Sequence, residues 1–256
     1  MKIALGPAWA SPFVWTRFTE TALNLKAPEG TELKWIFGKG WCPARRHADL
    51  CEKALAWGAD LIVFLGADQV YPDDLLQRLF TRFLTGYVVV SAPIPCRGYF
   101  EWNRGMKPFQ PMAWRWRGQV DTRKYRGQHL DPEMLEIVPM TGQMERVNFI
   151  GSGVLMFPAS LLFQLKRPWF KETIDSETFQ RFANQDCVFV WRLQEEAGVF
   201  CWVDTSITDV KHIHPFEIDH TFQDRFDDWM HPGGGGDPSI IQFDPVVARV
   251  VQSAPA

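Results

Sequence analysis

The sequence lacks the features of a membrane-spanning, disulfide-rich or zinc-finger protein. Its longest mainly apolar stretches, residues 61–67 and 87–95, are far shorter than the roughly 18 residues that a membrane-spanning helix needs. The five cysteines include no Cys-x-x-Cys pair, and their odd number argues against a disulfide framework. We therefore interpret them as small buried apolar residues and expect no membrane span.

A secretory signal is also missing. The first 13 residues contain one lysine, are interrupted by Pro7 and Pro12, and show no clear cleavage site. We therefore expect a cytoplasmic protein. Hydrophobic residues make up 46% of the chain and charged residues 22%, which excludes wholesale disorder and collagen-like or coiled-coil chains. A chain of 256 residues without an internal repeat is expected to form one large domain, with room for appendages.

The net charge is small, but the charge is unevenly distributed. The formal value of −3 gives no reason to expect a polyanionic partner. Residues 97–126, however, hold eight basic residues against two acidic ones, with several aromatic residues among them. Basic groups interleaved with aromatic faces can bind a nucleic-acid strand or a sugar ring. The alternative interpretation of this basic aromatic segment is a solvated loop with structural tryptophans.

The first 95 residues alternate between strand and helix patterns. Short apolar runs predict strands, and amphipathic patterns between them predict helices, of which the second begins at Pro43 and ends at Gly58. The predicted strands are residues 2–5, 33–37, 60–65 and 87–92, and the predicted helices are residues 13–25, 43–57 and 72–86. This alternation predicts a mainly parallel sheet with helices on both faces, in which ligands bind beyond the carboxyl ends of the strands.

The second half of the chain is less regular. We predict a strand over residues 147–157, which contain Gly151 and Gly153, and then a short helix over residues 158–165. Asn184 is the predicted cap of a helix that ends at Gly198. Two further strands are predicted at residues 199–203 and 207–210. Residues 233–256 have the composition of a glycine-rich linker followed by a tail.

Four segments, taken in order, carry a family resemblance. They are a helix with Arg45 leading through a strand to LGADQVYP, the stretch VNFIGSGVLMFPASLL, the triplet Asn-Gln-Asp at 184–186, and ITDVKHIHP. This series resembles the GT-A glycosyltransferases, especially the family 2-like enzymes and the short phage and bacterial proteins related to them. The resemblance covers about residues 1–215. It implies a GT-A fold, a Rossmann-like α/β sheet with helices on both faces in a single domain.

The resemblance also implies a division of the chain. Residues 1–232 would form the glycosyltransferase domain, with a nucleotide-binding half at 1–95 and an acceptor half at 96–232 that contains the basic aromatic segment. Residues 233–256 would lie outside the domain.

The same resemblance implies roles for individual residues. Asp68 matches the second aspartate of the D-x-D motif, which is the direct metal ligand in that family, and His212 matches a late metal-binding histidine. Gly66 stands where the family's first aspartate contacts ribose or metal-bound water. Asp186 matches the acidic start of the acceptor-side helix, and Gly153 lies in the glycine-containing strand that walls the donor and acceptor site.

Elementary chemistry supports this choice of residue types. A nucleotide sugar has a diphosphate leaving group, whose developing charge is best stabilised by a divalent metal. Asp68 and His212 offer one oxygen and one nitrogen ligand, and the imidazole slightly favours Mn²⁺ over Mg²⁺. Arg45 and Lys211 could add positive charge near the phosphates or sugar. We expect Asp186 to act as the base that deprotonates the acceptor, which predicts transfer with inversion.

The donor and acceptor are predicted in less detail. The donor is expected to be UDP- or GDP-linked, with UDP preferred, and its nucleoside to be lined by Pro7 and Ala8 together with the Gly66 and Ala67 backbone. The predicted acceptor-binding residues are Arg97, Trp102, Trp114, Arg115 and Trp116. They suit either a hydroxymethylated pyrimidine in phage DNA or a polysaccharide or lipid-linked sugar.

Other interpretations remain open for these residues. Asp68 suits turn chemistry ahead of a helix, and Asp186 could simply oppose a helix dipole. His212 could be a packed histidine, or could bind zinc together with His214. Because Gly66 replaces an aspartate, a non-catalytic nucleotide-sugar or carbohydrate-binding protein is the main alternative function. A nucleotidyltransferase is a weaker one, since no glycine-rich phosphate loop follows the first strand beyond Gly6.

Overall fold

The structure is a computed structural model. It describes residues 1–8, 15–95, 111–118, 135–171, 173–174, 181–183, 185–213 and 217–218. The predicted helix cap Asn184, the second histidine His214 and the tail at 233–256 lie outside these ranges, as do Arg97 and Trp102.

The described residues form four α-helices and fifteen strands, several of which are only two residues long. The helices are α1 (Thr16–Asn24), α2 (Pro43–Trp57), α3 (Leu75–Leu84) and α4 (Gln185–Ala197). The first strands are β1 (Lys2–Gly6), β2 (Glu32–Trp35), β3 (Leu61–Leu65), β4 (Gln69–Val70), β5 (Val89–Ser91), β6 (Ala113–Trp116), β7 (Leu135–Ile137) and β8 (Met144–Val147). The others are β9 (Phe149–Ile150), β10 (Val154–Pro158), β11 (Thr173–Ile174), β12 (Arg181–Ala183), β13 (Cys201–Asp204), β14 (Lys211–Ile213) and β15 (Glu217–Ile218).

The central sheet has seven strands in the order β2-β1-β3-β10-β5-β13-β8. Five of them run in one direction, whereas β10 and β8 are antiparallel to their neighbours. The sheet is therefore mainly parallel, as predicted. It takes strands from both predicted halves of the chain, because β10 lies between β3 and β5.

Helices cover both faces of this sheet, which confirms the predicted α/β architecture. Residues of α2 and α4 pack on one face around Phe64, Phe157 and Phe189. Residues of α1 and α3 pack on the other face against Leu5, Val63 and other strand residues. All five residues of β3 are buried, because this strand is covered by helices on both sides. In the described part of the chain, no helix has the length and apolar character needed to span a bilayer.

Local sequence signals set the limits of α2. Pro43 occupies the start of the helix, where its missing N–H costs nothing. Gly58 ends the helix in the left-handed region, with φ 76°, and its N–H donates a hydrogen bond to the carbonyl of Leu55 at 2.9 Å. Both limits agree with the sequence prediction.

Two sequence predictions are wrong. Residues 147–157 do not form one strand, because the chain is interrupted at Asn148 and again at residues 151–153, which separate β8, β9 and β10. Residues 207–210 are also not a strand. The N–H of Ile207 turns back to the carbonyl of Asp204 at 3.1 Å, and the apolar residues there are buried in a loop. Their apolar character reflects packing against the core, and a strand begins only at Lys211.

The carboxyl ends of β1, β3 and β5 lie at one edge of the sheet, where β10 begins. Gly6 at the end of β1 is paired with Phe64, and Leu65 at the end of β3 is paired with Val154, the first residue of β10. The loops that follow β1 and β3 and the segment 151–153 therefore meet at this edge. This is where ligands bind in open α/β sheets.

A buried ion pair connects α3 to the end of β13. Asp204 is 1% exposed, and its Oδ2 lies 2.6 Å from Nε of Arg82. Burial by itself would raise the pKa of Asp204, but hydrogen bonds from Arg82 and Ser206 outweigh burial and lower it. A carboxyl whose pKa is lowered by folding stabilises the protein above its unfolded pKa, and this contribution is lost as the pH falls through the folded pKa.

Arg82→Met should therefore lower the free energy of unfolding at pH 7 by about 2 kcal/mol, because it leaves a buried carboxylate short of a partner. The deficit should shrink as the pH falls to about 3, below the ordinary aspartate pKa of about 3.9, because Asp204 takes up a proton more readily without Arg82 than with it. Urea unfolding of the variant and wild type at both pH values measures this. The matched control is Arg78→Met on the same helix, whose partners Asp74 and Asp209 are exposed. It should cost less than about 1 kcal/mol, and an equal loss in both variants would contradict the prediction.

Candidate functional site

Asp68 lies in the turn between β3 and β4. Its carbonyl accepts a hydrogen bond from the N–H of Ile213 at 2.7 Å, and the neighbouring Gln69 is paired with His212 in the β4–β14 ladder. These backbone contacts place β14, from 140 residues further along the chain, directly against the Asp68 turn. Two segments that are distant in sequence are thereby held together by main-chain hydrogen bonds.

The side chains of Asp68 and His212 meet, as the sequence prediction requires. Oδ2 of Asp68 is 3.4 Å from Nε2 of His212, and the imidazole is buried. Nδ1 of His212 lies 2.8 Å from the carbonyl oxygen of Pro95. A carbonyl oxygen can only accept, so Nδ1 carries the hydrogen. Nε2 therefore faces the Asp68 carboxyl group across 3.4 Å, a gap that a proton or a cation can bridge.

The donor set fits a divalent cation such as Mn²⁺ or Mg²⁺. An imidazole oriented through Nδ1–H by a carbonyl oxygen is the usual arrangement of a histidine that binds metal through Nε2. Two ligand atoms at right angles on one ion, each about 2.1 Å from it, are about 3 Å apart, close to the observed 3.4 Å. Among the described residues, no group of three His, Cys, Asp or Glu side chains could hold a metal. Asp68 and His212 offer two ligand atoms, one oxygen and one nitrogen.

Gly66 and Gly153 pack backbone to backbone beside this pair. The N–H of Gly66 donates to the carbonyl of Gly153 at 2.8 Å, and the Tyr71 hydroxyl lies 2.6 Å from the carbonyl of Gly66. Burial, assisted by the charge of Asp68, raises the pKa of Tyr71 well above its ordinary value, so its hydroxyl remains a neutral donor.

The same packing leaves no room for a side chain at position 66. A Cβ at position 66 would lie 2.7 Å from Nε2 of Gln69 and 3.0 Å from Oδ1 of Asp68. The buried Gln69 side chain occupies the space that an aspartate would need. The position is therefore closed to a side chain by its surroundings.

Other residues predicted to bind the donor lie at the same edge of the sheet. Pro7 follows β1 and is buried, and its carbonyl accepts a hydrogen bond from the N–H of Gly38 at 3.2 Å. Ala8 is half-buried next to it. The side chain of Ala67 packs into the core, which leaves only its backbone for a ligand.

Asp186 also contacts the segment 151–153, through Ser152. It is in the first turn of α4, where Oδ2 accepts the N–H of Ser152 at 3.0 Å and Oδ1 accepts the N–H of Cys187 at 2.9 Å. Ser152 is adjacent to Gly153, which contacts the Asp68 turn. The segment 151–153 therefore has one predicted metal ligand at one end and the predicted base at the other.

The two predicted positive charges are placed differently. The guanidinium of Arg45 pairs with Glu52 at 3.1 Å on the surface of α2. Lys211 precedes His212 in β14, and because consecutive side chains of a strand point to opposite faces, its side chain leaves the strand on the face opposite to that of His212. The predicted roles of both residues stay predictions.

The described acceptor-side residues lie on β6, in a three-stranded sheet of order β7-β6-β9. Trp114 is paired with Ile137 and Phe149. The guanidinium of Arg115 pairs with Glu136, and lies 3.4 Å from Glu145. Arg97 and Trp102 lie outside the described residues.

A groove of about 720 Å³ opens beside β6. Its lining includes Arg115, Trp116, Arg146, Asn148, Gln194 and Trp202. Asn148 is four residues before Ser152, whereas Gln194 is eight residues after Asp186, about 12 Å along α4. The groove therefore extends away from the predicted base along the same helix.

His47 is a site residue that sequence analysis missed. It is 6% exposed, with Nδ1 2.9 Å from the carbonyl of Pro43 and Nε2 3.0 Å from Oγ of Ser152. Its spacing in the sequence could have revealed it. His47 is three residues after Ala44 and four before Cys51, which places it on the apolar face of α2. A histidine buried on such a face requires a polar partner.

Comparisons with known proteins add a likeness in structure. No protein-family model matches the chain, and no curated protein matches it. Among solved structures, the crystal structure of A197 from STIV is similar, with a TM-score of 0.49 and 16% sequence identity over 86% of this chain and 90% of that one. A likeness of this degree leaves the function of the present chain open.

Gly153→Ala should disturb the site more than the nearby Gly151→Ala. A Cβ at position 153 would lie 2.0 Å from Nε2 of Gln69 and 2.6 Å from Cδ1 of Ile94, whereas at 151 the nearest atom is the flexible end of Met112 at 3.2 Å. We expect Gly153→Ala to cost about 1–3 kcal/mol in urea unfolding. Gly151→Ala should cost less, and the opposite order would contradict this packing.

Proposed function

We propose that the protein is a divalent-metal-dependent glycosyltransferase that moves a sugar from a nucleoside-diphosphate sugar, with UDP the preferred nucleotide, to an acceptor hydroxyl. The observation that carries the proposal is the 3.4 Å contact between Asp68 and His212 at the carboxyl-end edge of the sheet. Two residues 144 positions apart in the chain, each matched to a metal ligand by the family resemblance, come together at the edge where such sheets bind nucleotides.

Asp68 and His212 would hold the metal, Mn²⁺ or Mg²⁺. When bound, the ion supplies positive charge that stabilises the departing diphosphate. Contacts within the protein preorganise this site. Pro95 fixes the imidazole through its carbonyl, and Ile213 fixes the turn of Asp68, so little side-chain freedom remains to be lost on binding.

The donor would lie along the edge formed by Pro7, Ala8 and the backbone of the Gly66–Asp68 turn. Gly66 and Gly153 contribute no side chains to this edge, where the space beside their Cα atoms is filled by the buried Gln69 side chain. The absence of an aspartate at 66 leaves the donor ribose without the contact that the family resemblance implies.

Asp186 would be the base. Two backbone N–H groups hold its carboxylate, so both oxygens have fixed directions. Deprotonation of the acceptor by a carboxylate on the far side of the anomeric carbon from the diphosphate gives a single displacement with inversion. The position of Asp186 across the segment 151–153 from Asp68 supports this assignment.

For the acceptor, the groove beside β6 favours a glycan over DNA. Of the two arginines in its lining, Arg115 is paired with two glutamates and Arg146 is stacked 3.4 Å from the Phe200 ring centre. Neither guanidinium is therefore readily available for phosphates, while Trp116 and Trp202 offer aromatic surface for a sugar ring. A steep loss of duplex-DNA affinity with rising salt would instead favour a hydroxymethylated pyrimidine in DNA.

The second candidate is a non-catalytic nucleotide-sugar or carbohydrate-binding protein. Gly66 favours it, because an expected donor contact is missing. Metal-dependent hydrolysis of a nucleotide sugar would exclude this candidate, since a binding protein leaves the donor intact.

Asp68→Asn should weaken Mn²⁺ binding in the presence of UDP by more than about tenfold, because it removes the only negative charge of the two-residue site. Isothermal titration calorimetry measures this. Asp73→Asn is the control, since Asp73 is an exposed carboxylate five residues away that pairs with Lys26. Wild-type affinity in Asp68→Asn would refute the metal role of Asp68.

Asp186→Asn should lower the turnover of donor hydrolysis by about 10² to 10⁴-fold, with the affinity for UDP and Mn²⁺ nearly unchanged. The reason is that an amide keeps the shape but cannot accept the proton. Steady-state release of UDP measures turnover, and Asp209→Asn, at an exposed carboxylate that pairs with Arg78, serves as the control. A collapse of UDP affinity in Asp186→Asn would show that this residue binds the donor rather than acting as the base.

A further inference from the structure

His47 is held in one tautomer by its surroundings. Nδ1 faces the carbonyl of Pro43, which can only accept, so Nδ1 carries the hydrogen and Nε2 has the lone pair. Burial lowers the pKa of His47, and the charge of Asp186 opposes this only in part. The ring is therefore neutral near pH 7, and Nε2 must receive a hydrogen bond from Ser152 at 3.0 Å.

Ser152 faces two acceptors with one hydroxyl proton. Its Oγ lies 3.0 Å from Nε2 of His47 and 3.3 Å from Oδ2 of Asp186. When Asp186 is ionised, the hydroxyl can donate to only one of them. When Asp186 is protonated, Oδ2–H can donate to Oγ and Oγ–H to Nε2, so every partner is satisfied. The three side chains are thus one proton short of a complete set of hydrogen bonds.

We propose that His47, Ser152 and Asp186 form a proton-accepting network that takes up the proton of the acceptor hydroxyl. The identity of that proton rests on the proposed function, whereas the network itself does not. In the transfer step, the acceptor oxygen bonds to the anomeric carbon, and the bond from that carbon to the diphosphate breaks with its electron pair leaving on the diphosphate. The acceptor proton moves to Oδ2 of Asp186, which then donates to Ser152, and Ser152 donates to His47.

The network favours proton uptake by Asp186. The N–H groups of Ser152 and Cys187 donate to the Asp186 carboxylate and favour its charged form. The hydrogen bond to the Ser152 hydroxyl that forms only when the carboxyl carries a proton acts in the opposite direction. Ser152 and His47 act through Asp186 and are therefore positioning residues.

Two charged groups act on His47. Asp186 faces it from α4, and Arg46 acts on it from its own helix, with the Arg46 side chain directed to the carbonyl of Gly40. The rings of Phe64 and Phe170 pack against the imidazole with centroids 4.8 and 5.2 Å away. This apolar cage keeps the imidazole of His47 out of water, whereas Ser152 and Asp186 are half-buried.

The first test observes the network directly. In the full-length protein labelled with ¹⁵N-histidine, the His47 signals are assigned by their loss in His47→Phe. We expect the Nδ1–H tautomer at pH 7.5. We also expect Ser152→Ala and Asp186→Asn to shift the Nε2 signal, the first because it removes the donor and the second because an amide donates to Oγ. An Nε2–H tautomer, or an Nε2 signal unmoved by Asp186→Asn, would overturn the proposal.

The second test measures the contribution of the network to turnover. With Mn²⁺ and the UDP-sugar that the wild type hydrolyses fastest, Ser152→Ala should lower kcat about tenfold or more while KM stays within about twofold. Ser152→Thr, which keeps a hydroxyl, should recover most of the loss. Ser206→Ala is the control, because its hydroxyl bonds only Asp204 among the described groups.

The outcomes separate the two proposals. Wild-type kcat in Ser152→Ala, with Asp186→Asn inactive, would overturn the network and leave the proposed base in place. If the wild type hydrolyses no UDP- or GDP-sugar, the proposed function fails. In that case the ¹⁵N signals of His47 still test the network, independently of the proposed function.

Discussion

The site depends on the insertion of β10 between β3 and β5, antiparallel to both. Because β10 runs against its neighbours, its first residue lies beside the last residue of β3, and the segment 151–153 is delivered to the edge where the loops of the parallel strands end. Gly153 then touches the Asp68 turn, and Ser152 touches Asp186. A parallel strand in this position would place the same segment at the opposite edge.

The two buried histidines of the described residues are oriented in the same way. His47 and His212 each face a proline carbonyl through Nδ1, and each presents Nε2 towards the candidate site. In one case Nε2 meets a serine that contacts Asp186, and in the other it meets Asp68 directly. A backbone carbonyl fixes the hydrogen on Nδ1 without adding a charge, and in the proposed mechanism Nε2 of each ring takes part in proton uptake or metal binding.

Much of the fold could be predicted, because its signals are local. The alternation of apolar runs and amphipathic helices gave the mainly parallel sheet, and Pro43 and Gly58 gave the limits of α2. The loop at 207–210 could not be predicted, since burial of Ile207 and Val210 against the core produces the same apolar pattern as a strand. His47 was missed because its partner Ser152 is 105 residues away in the chain. The pairing of Arg45 with Glu52 on the surface of α2 also could not be predicted from the family resemblance.

By itself, the sequence determined which residues can do chemistry here and where each strand and helix is favoured, since side-chain type and short-range periodicity are properties of the chain. Only the tertiary structure decided which of those residues meet. Main-chain pairing of β14 with β4 brings His212 to Asp68, and the antiparallel course of β10 brings Ser152 between Asp186 and His47. These contacts depend on strand order and direction, which are set by packing of the whole sheet between its helices. Strand order and direction therefore cannot be predicted from any single segment of the sequence.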